Sequence, residues 1–186
     1  IVGLADPSGL FLSAARSEVP GTCATVTLEG RRPMPVEIQA LVAPTNAGSP
    51  RRTTSGVDHS RTAMALAVLS ARLRVDTSSA DVYVSTVGGA RAVEPATDLA
   101  VAVSVVSAAR NLPAPAGLGA CGEGGLTGGV RATVGIQRRL AEASRLGFDR
   151  AIVPLAGSAE LREVAGMQVL PVAHVGEAMG AALPRG

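Results

Sequence analysis

From Pro95 to Arg110 the chain reads Pro-Ala-Thr-Asp-Leu-Ala-Val-Ala-Val-Ser-Val-Val-Ser-Ala-Ala-Arg, and this stretch limits the possible folds more than any other. Proline suits the first turn of a helix, where its missing N–H would have had no partner. Leu99, Val101, Val103, Val105 and Val106 then leave the predicted helix almost no polar face. A helix that is apolar all round must be covered on most sides, so the rest of the chain has to supply layers around it. At 186 residues there is enough chain for one domain with a real core. Hydrophobic residues make up 47% but aromatics only 2%, so that core is aliphatic.

The covering elements are legible from their periods. Residues 22–28 alternate polar and apolar, and Val36, Ile38, Ala40 and Val42 alternate with Glu37 and Gln39. Two half-buried strands follow, joined as a hairpin through Glu29-Gly30-Arg31-Arg32-Pro33. A third strand is expected over 81–87, with short buried strands at 151–154 and 168–172. Asp58 is a good N-cap for a helix over 59–73, whose inward face is read as Met64, Val68 and Ala71. A helix over 135–147 should bury Ile136, Leu140 and Ala143, expose Arg138, Glu142 and Arg145, and stop at Gly147. A short helix at 175–183 closes the series. Residues 43–56 and 111–129 read as loops, the first as a mobile polar tip. The expectation is an irregular lead-in at 1–20, with a turn at Pro7-Ser8-Gly9, followed by one mixed α/β (α+β) domain over 21–186.

Several chemistries fall away on residue content. All 17 basic residues are arginine, so a phosphate loop ending in Gly-Lys is impossible. Residues 117–122 formally satisfy GxGxxG, but Pro113 and Pro115 precede them and Glu123-Gly124-Gly125 follow, where a dinucleotide fingerprint needs a strand before and a helix after. Cys23 and Cys121 lie far apart in sequence and read as buried thiols, not as zinc ligands, and no metal site is expected. His59 and His174 read as structural or exposed, and no GxSxG elbow is present. No apolar run approaches the ~20 residues that span a bilayer, no membrane partner is expected, and a reducing cytoplasm is the expected location. The chain opens at Ile1-Val2-Gly3 without Met, which reads as a piece of something longer. Charge is uneven: residues 31–74 hold Arg31, Arg32, Arg51, Arg52, Arg61, Arg72 and Arg74 against Glu37 and Asp58 alone. Such an excess suits an anionic partner.

Longer stretches carry a resemblance. Leu28 through Val42 (LEGRRPMPVEIQALV), Gly56 through Leu69 (GVDHSRTAMALAVL), Asp81 through Val101 (DVYVSTVGGARAVEPATDLAV) and Gly135 through Phe148 (GIQRRLAEASRLGF) closely resemble the C-terminal domain of the bacterial RadA/Sms DNA-repair family. Asp6-Pro7-Ser8 and Leu10-Phe11-Leu12 fit the same family, so the match covers nearly the whole chain in order.

That resemblance implies a fold like the proteolytic domain of Lon protease, shared with a domain of a small-subunit ribosomal protein. Lon's nucleophile lies in a Gly-Pro-Ser-Ala-Gly turn, which matches Glu94-Pro95-Ala96-Thr97-Asp98 and puts Ala96 at the serine. Lon's lysine lies in a Gly-Leu-Lys-Glu-Lys stretch, read against Gly135-Ile136-Gln137-Arg138-Arg139 with Gln137 at the lysine. A Ser-Lys dyad needs an amine that can be neutral near pH 7, and arginine cannot supply one. The resemblance therefore implies a pseudoprotease with no catalytic residues and no cofactor of its own. The parent family is similar to ATP- and magnesium-using RecA-type ATPases, with a zinc finger, and acts in recombination and repair.

For this domain two roles follow: a ring scaffold assembling as a homohexamer, and a DNA-binding surface on branched or single-stranded intermediates, beside a recombinase at the nucleoid. The arginines expected to touch DNA are Arg31, Arg32, Arg51, Arg52 and Arg61, with Arg138 and Arg139 as a second cluster. The alternative is an α/β binding module or a hydrolase with an unrecognised small-molecule or peptide site, to be sought in a pocket near Ala96.

Overall fold

Strand β1 (Thr22–Glu29) turns through Gly30 and Arg31 into β2 (Arg32–Pro44), pairing antiparallel from Glu29 opposite Arg32 to Thr22 opposite Gln39. Gly30 takes φ 61°, a left-handed conformation that a two-residue hairpin loop requires and glycine adopts without steric cost. The structure is a computed structural model describing residues 18–183, so the expected turn at 7–9 and the stretch at 10–12 lie outside the described residues.

Next come β3 (Arg52–Ser55), α1 (His59–Leu73), β4 (Ala80–Thr86), α2 (Asp98–Arg110), β5 (Leu118–Ala120), β6 (Glu123–Gly124) and β7 (Val130–Arg131). Helix α3 (Ile136–Arg145), β8 (Arg150–Pro154), β9 (Gln168–Val172) and α4 (Val175–Ala182) complete the chain. Seven strands form one sheet in the order β3-β4-β2-β1-β5-β8-β9, and β6 and β7 make a separate small hairpin. Strand β2 alone runs against the other six. The carboxyl ends of those six therefore share one end of the sheet. Helices α1, α2 and α4 follow β3, β4 and β9, and α3 follows β5 after the β6–β7 hairpin, so the N-termini of α1 to α4 gather there too.

The expected covering of the apolar helix is found. Every residue of α2 from Asp98 to Ser107 is buried, between the sheet beneath and α1 and α4 beside it. Its two buried serines bond to main chain: Ser104 Oγ donates to Ala100 O (2.8 Å), and Ser107 Oγ accepts from Gly21 N (2.8 Å). Helix α3 lies on the other face, where Leu140 packs with Ala151 and Val153, and Ala143 with Ala24, Val26 and Phe148. The architecture is mixed α/β, helices on both faces of a mostly parallel sheet.

Three expectations need correction. The stretch 43–56 is not all loop, because the polar Arg52-Thr53-Thr54-Ser55 forms edge strand β3 beside β4. Four polar residues carry no hydrophobic alternation, so pairing alone makes them a strand. Likewise 111–129 contains β5, a three-residue interior strand between β1 and β8, too short to show a period. Helix α1 buries Thr62, Leu66 and Leu69; of the expected face only Val68 packs against the core, while Ala71 is exposed and Met64 is 40% exposed. Nearly continuous apolar residues at 63–69 define no unique face, and Thr62 can turn inward because its hydroxyl donates to Asp58 O at 2.8 Å. The Asp58 cap itself is as expected, its carboxylate accepting from Arg61 N at 2.8 Å.

Candidate functional site

At the shared end of the sheet, Pro95–Thr97 form a single 3-10 turn that leads into α2. Thr97 Oγ1 donates to Glu94 O (2.8 Å) and Ala92 O (3.0 Å), closing the turn on itself. Gly122 N donates to Ala96 O (2.9 Å) and Leu99 N to Gly122 O (3.1 Å), which ties the turn to the segment after β5. Ala96 is 3% exposed and ends in a methyl group. It offers no nucleophile.

Gln137 does not approach this turn. Its carboxamide is held by the backbone of Arg162, donating to the carbonyl at 3.0 Å and accepting from the N–H at 2.8 Å. The residue of this stretch that reaches the turn is Arg139, two positions on and so on nearly the opposite side of the helix. Its guanidinium is 2% exposed and donates to Val134 O (3.0 Å), to Val26 O (2.7 Å) and to both carboxylate oxygens of Glu94. Glu94 Oε1 also accepts from Leu28 N at 3.0 Å. Geometry therefore puts an arginine, not Gln137, beside the Pro95 turn.

A second ion pair lies close by. Arg61, in the first turn of α1, grips Asp98 at the start of α2 through Nε–Oδ1 (2.9 Å) and Nη2–Oδ2 (2.6 Å), while Gly124 N donates to Asp98 Oδ2 at 3.0 Å. Burial lifts the Asp98 carboxyl above its ordinary range, against the lowering pull of Arg61 and the Gly124 N–H. The bond to Asp98 correspondingly raises the Arg61 guanidinium. Behind this pair an apolar cleft of about 60 Å³ opens between α1, α2 and the β6–β7 hairpin, walled by Met64, Val68, Leu99 and Val130. Both polar groups at its mouth are already bonded to each other. No acid–base pair stands free there.

The remaining chemistry-bearing residues have structural work. His174 caps α4, its Nδ1 accepting from Gly176 N at 3.0 Å, and His59 sits exposed at the start of α1. Cys23 and Cys121 are both buried and free, and burial pushes the Cys23 thiol far up, away from thiolate chemistry. Among the described residues no group of His, Cys, Asp or Glu is placed to hold a metal, and no helix is long and apolar enough to cross a membrane. Residues 117–122 enter a strand instead of opening a helix, so the GxGxxG pattern makes no phosphate loop.

The arginines expected to touch DNA separate into groups. Arg31 and Arg32, at the hairpin turn, and Arg138, in the first turn of α3, are exposed at the shared end of the sheet. Arg51 is exposed at the opposite end, before β3. Arg52 is half-buried and donates to Ala80 O (2.5 Å) and Thr77 O (2.8 Å). Arg61 is committed to Asp98, and Arg139 is enclosed with Glu94. Arg139 has no guanidinium face left for a phosphate, at 2% exposure, whereas Arg52 and Arg61 are only partly covered by their bonds inside the protein. Two residues that the sequence did not single out, Arg91 and Arg131, join the exposed set at the shared end. Each is a lone arginine in a loop or short hairpin, so only the assembled sheet brings them into line.

A mixed sheet with helix N-termini gathered at one end, and a buried Pro-Ala-Thr turn leading into α2, frames a domain of the Lon proteolytic class. Residues 62–185 match the family model of the Lon protease (S16) C-terminal proteolytic domain. The chain belongs to that family, as a Lon-like C-terminal domain of the RadA type. It is 52% identical over 151 residues to the DNA repair protein RadA of Mycolicibacterium smegmatis, covering 81% of this chain and 32% of the relative. It is 45% identical over 178 residues to RadA of Pseudomonas aeruginosa and 40% identical over 178 residues to RadA of Bacillus subtilis, in each case covering 96% of this chain and 39% of the relative. The chain thus spans between 32 and 39% of the length of these relatives.

Proposed function

We propose that this domain is a non-proteolytic Lon-type module serving a RadA-like repair protein as a ring scaffold and as a DNA-binding surface. The observation that carries the DNA role is the charge at the carboxyl end of the parallel strands. Arg31, Arg32, Arg91, Arg131 and Arg138 are exposed there and make no ion pair among the described residues. Three nearby acids are paired inside the protein, Glu94 with Arg139, and Asp98 and Glu123 with Arg61. Glu29 stands exposed opposite Arg32 at the hairpin and offsets one of these charges. Helix α3 has no acidic residue in its first turn but carries Arg138 there. A cation at the positive end of a helix dipole costs about 0.3–1 kcal/mol, a placement that a polyanionic ligand would offset. Contacts of this kind read phosphate and not base sequence, and they weaken steeply with salt.

Loss of proteolysis rests on chemistry: Ala96 has no hydroxyl, and the sequence contains no lysine to act as its base. The hydrolase alternative loses ground because Ala96 is buried and ends in a methyl group, and the perturbed carboxyl beside the cleft, Asp98, is already bonded to Arg61. The wider roles (ATP- and magnesium-dependent strand processing, a zinc finger, a recombinase partner, action at the nucleoid) belong to the proposed parent protein.

Two measurements test the reading. Light scattering across a concentration series should find a hexamer; a monomer at roughly 100 µM, where only contacts weaker than about −5.5 kcal/mol escape, would remove the autonomous scaffold. Fluorescence anisotropy with a labelled duplex and a labelled single strand should show binding whose log–log salt slope is steep. A flat salt response would remove the DNA surface.

A further inference from the structure

The guanidinium of Arg139 cannot reach a phosphate, yet its bonds go to each of the three segments that carry the exposed arginines. We infer that Arg139, acting with Glu94, is a positioning residue for that surface. The inference rests on the DNA-binding reading and adds what holds the surface in register.

Its partners are Val26 O on β1, Val134 O in the approach to α3, and the Glu94 carboxylate in the approach to α2. Glu94 returns to β1 through Leu28 N at 3.0 Å. Arg31 and Arg32 lie just beyond Leu28, at the end of β1. Arg91 lies three residues before Glu94, and Arg131 and Arg138 flank Val134. In the sheet order β4-β2-β1-β5, these segments are lateral neighbours at one end. One planar side chain thus fastens all three.

Arginine suits the task because its fork presents five donors in fixed directions, where an ammonium presents three on a flexible stem. The pairing also hides an acid. Without Arg139, Glu94 would stand as an anion amid the cationic surface, repelling the phosphate that its neighbours attract. Arg139 should therefore affect both how the loops are placed and how much net charge DNA meets.

The test uses the 186-residue chain and measures anisotropy of a labelled duplex against salt. Replacing both partners, Arg139→Met with Glu94→Leu, removes the clasp without leaving a buried charge. The expected result is a folded protein, by circular dichroism and cooperative unfolding, that binds about three- to tenfold more weakly. Its salt slope should be shallower by about 0.9, the equivalent of one phosphate contact. A residue that only stabilised the fold would lower the melting temperature and leave the slope alone. Arg31→Ser with Arg138→Ser is the direct control. If that control binds like the parent, the DNA reading itself has failed. If the control weakens while the clasp variant keeps the parent's affinity and slope, the positioning role is overturned. Should the clasp variant not fold, Arg139→Gln with Glu94→Gln decides, since it removes both charges and the guanidinium fork while keeping an acceptor for Leu28 N, and an unchanged affinity and slope there overturn the role equally.

Discussion

Arg61 and Asp98 join the first turns of two neighbouring helices through a two-point ion pair, 2.9 Å and 2.6 Å, with the main chain of Gly124 as third partner. Asp98 is 9% exposed, so taking away its partner would leave a nearly buried carboxylate holding one N–H bond. Arg61→Met is expected to destabilise the domain by about 2 kcal/mol, less than a fully enclosed pair because Arg61 is partly exposed. Replacing both, Arg61→Met with Asp98→Leu, should restore most of that loss. Urea unfolding of the two variants checks the order. Equal losses would show that the pair does not act as a unit.

Glu37 presents the opposite situation. It is fully buried on β2, its Oε1 accepts from Gln39 Nε2 at 3.3 Å, and its Oε2 has no partner. Burial raises its pKa, with the Gln39 bond opposing. A carboxyl raised on folding is most favourable below its unfolded pKa, about 4.3, where both states hold the proton. Its contribution is lost as pH rises through the folded value, because only the folded state then bears a buried charge. Glu37→Leu should accordingly stabilise the protein by about 1–3 kcal/mol at pH 8, and by less at pH 4. Unfolding at a series of pH values reads the difference. A gap independent of pH would rule out titration of Glu37 as the cause.

Restoring a hydroxyl should not restore a protease. Ala96→Ser is expected to stay unreactive towards a fluorophosphonate probe, since an unactivated serine is a weak nucleophile. Adding Gln137→Lys should change nothing, because residue 137 points to the Arg162 backbone. Only Arg139→Lys with Ala96→Ser would bring an amine to the Pro95 turn. Labelling of the Gln137→Lys double variant would contradict the geometry described here.

Gly56 sits at φ 78°, and a Cβ there would meet Thr86 Oγ1 at 2.0 Å and Ala90 O at 2.6 Å. Its carbonyl accepts from Ala92 N at 2.7 Å, tying the approach to α1 to the approach to α2. Gly56→Ala combines a left-handed backbone with a steric clash and should cost about 2–3 kcal/mol. Thermal unfolding measures it, and a change under about 0.5 kcal/mol would mean that the loop yields easily.

The sequence revealed the elements whose signal is local. The α2 helix shows its buried character in its own apolar run, β1 and β2 show period-two alternation, and Asp58 announces the start of α1. The family likeness was also legible, since it lies in contiguous stretches of residues. Segments whose state depends on a neighbour were not: β3 is polar and β5 has three residues, and each becomes a strand only by pairing.

The site divides in the same way. That the Ser-Lys dyad is missing follows from residue content alone, because no fold can give a chain a lysine it does not contain. Which arginines remain free was decided by tertiary structure. Arg138 and Arg139 are adjacent in sequence and chemically identical, yet one faces solvent and the other is 2% exposed against Glu94. Helical rotation of about 100° per residue separates them, and a carboxylate 45 positions away captures the inner one. Sequence determines which charges exist and which helix carries them; only the packed sheet determines which are neutralised from a distance and which are left to meet a partner.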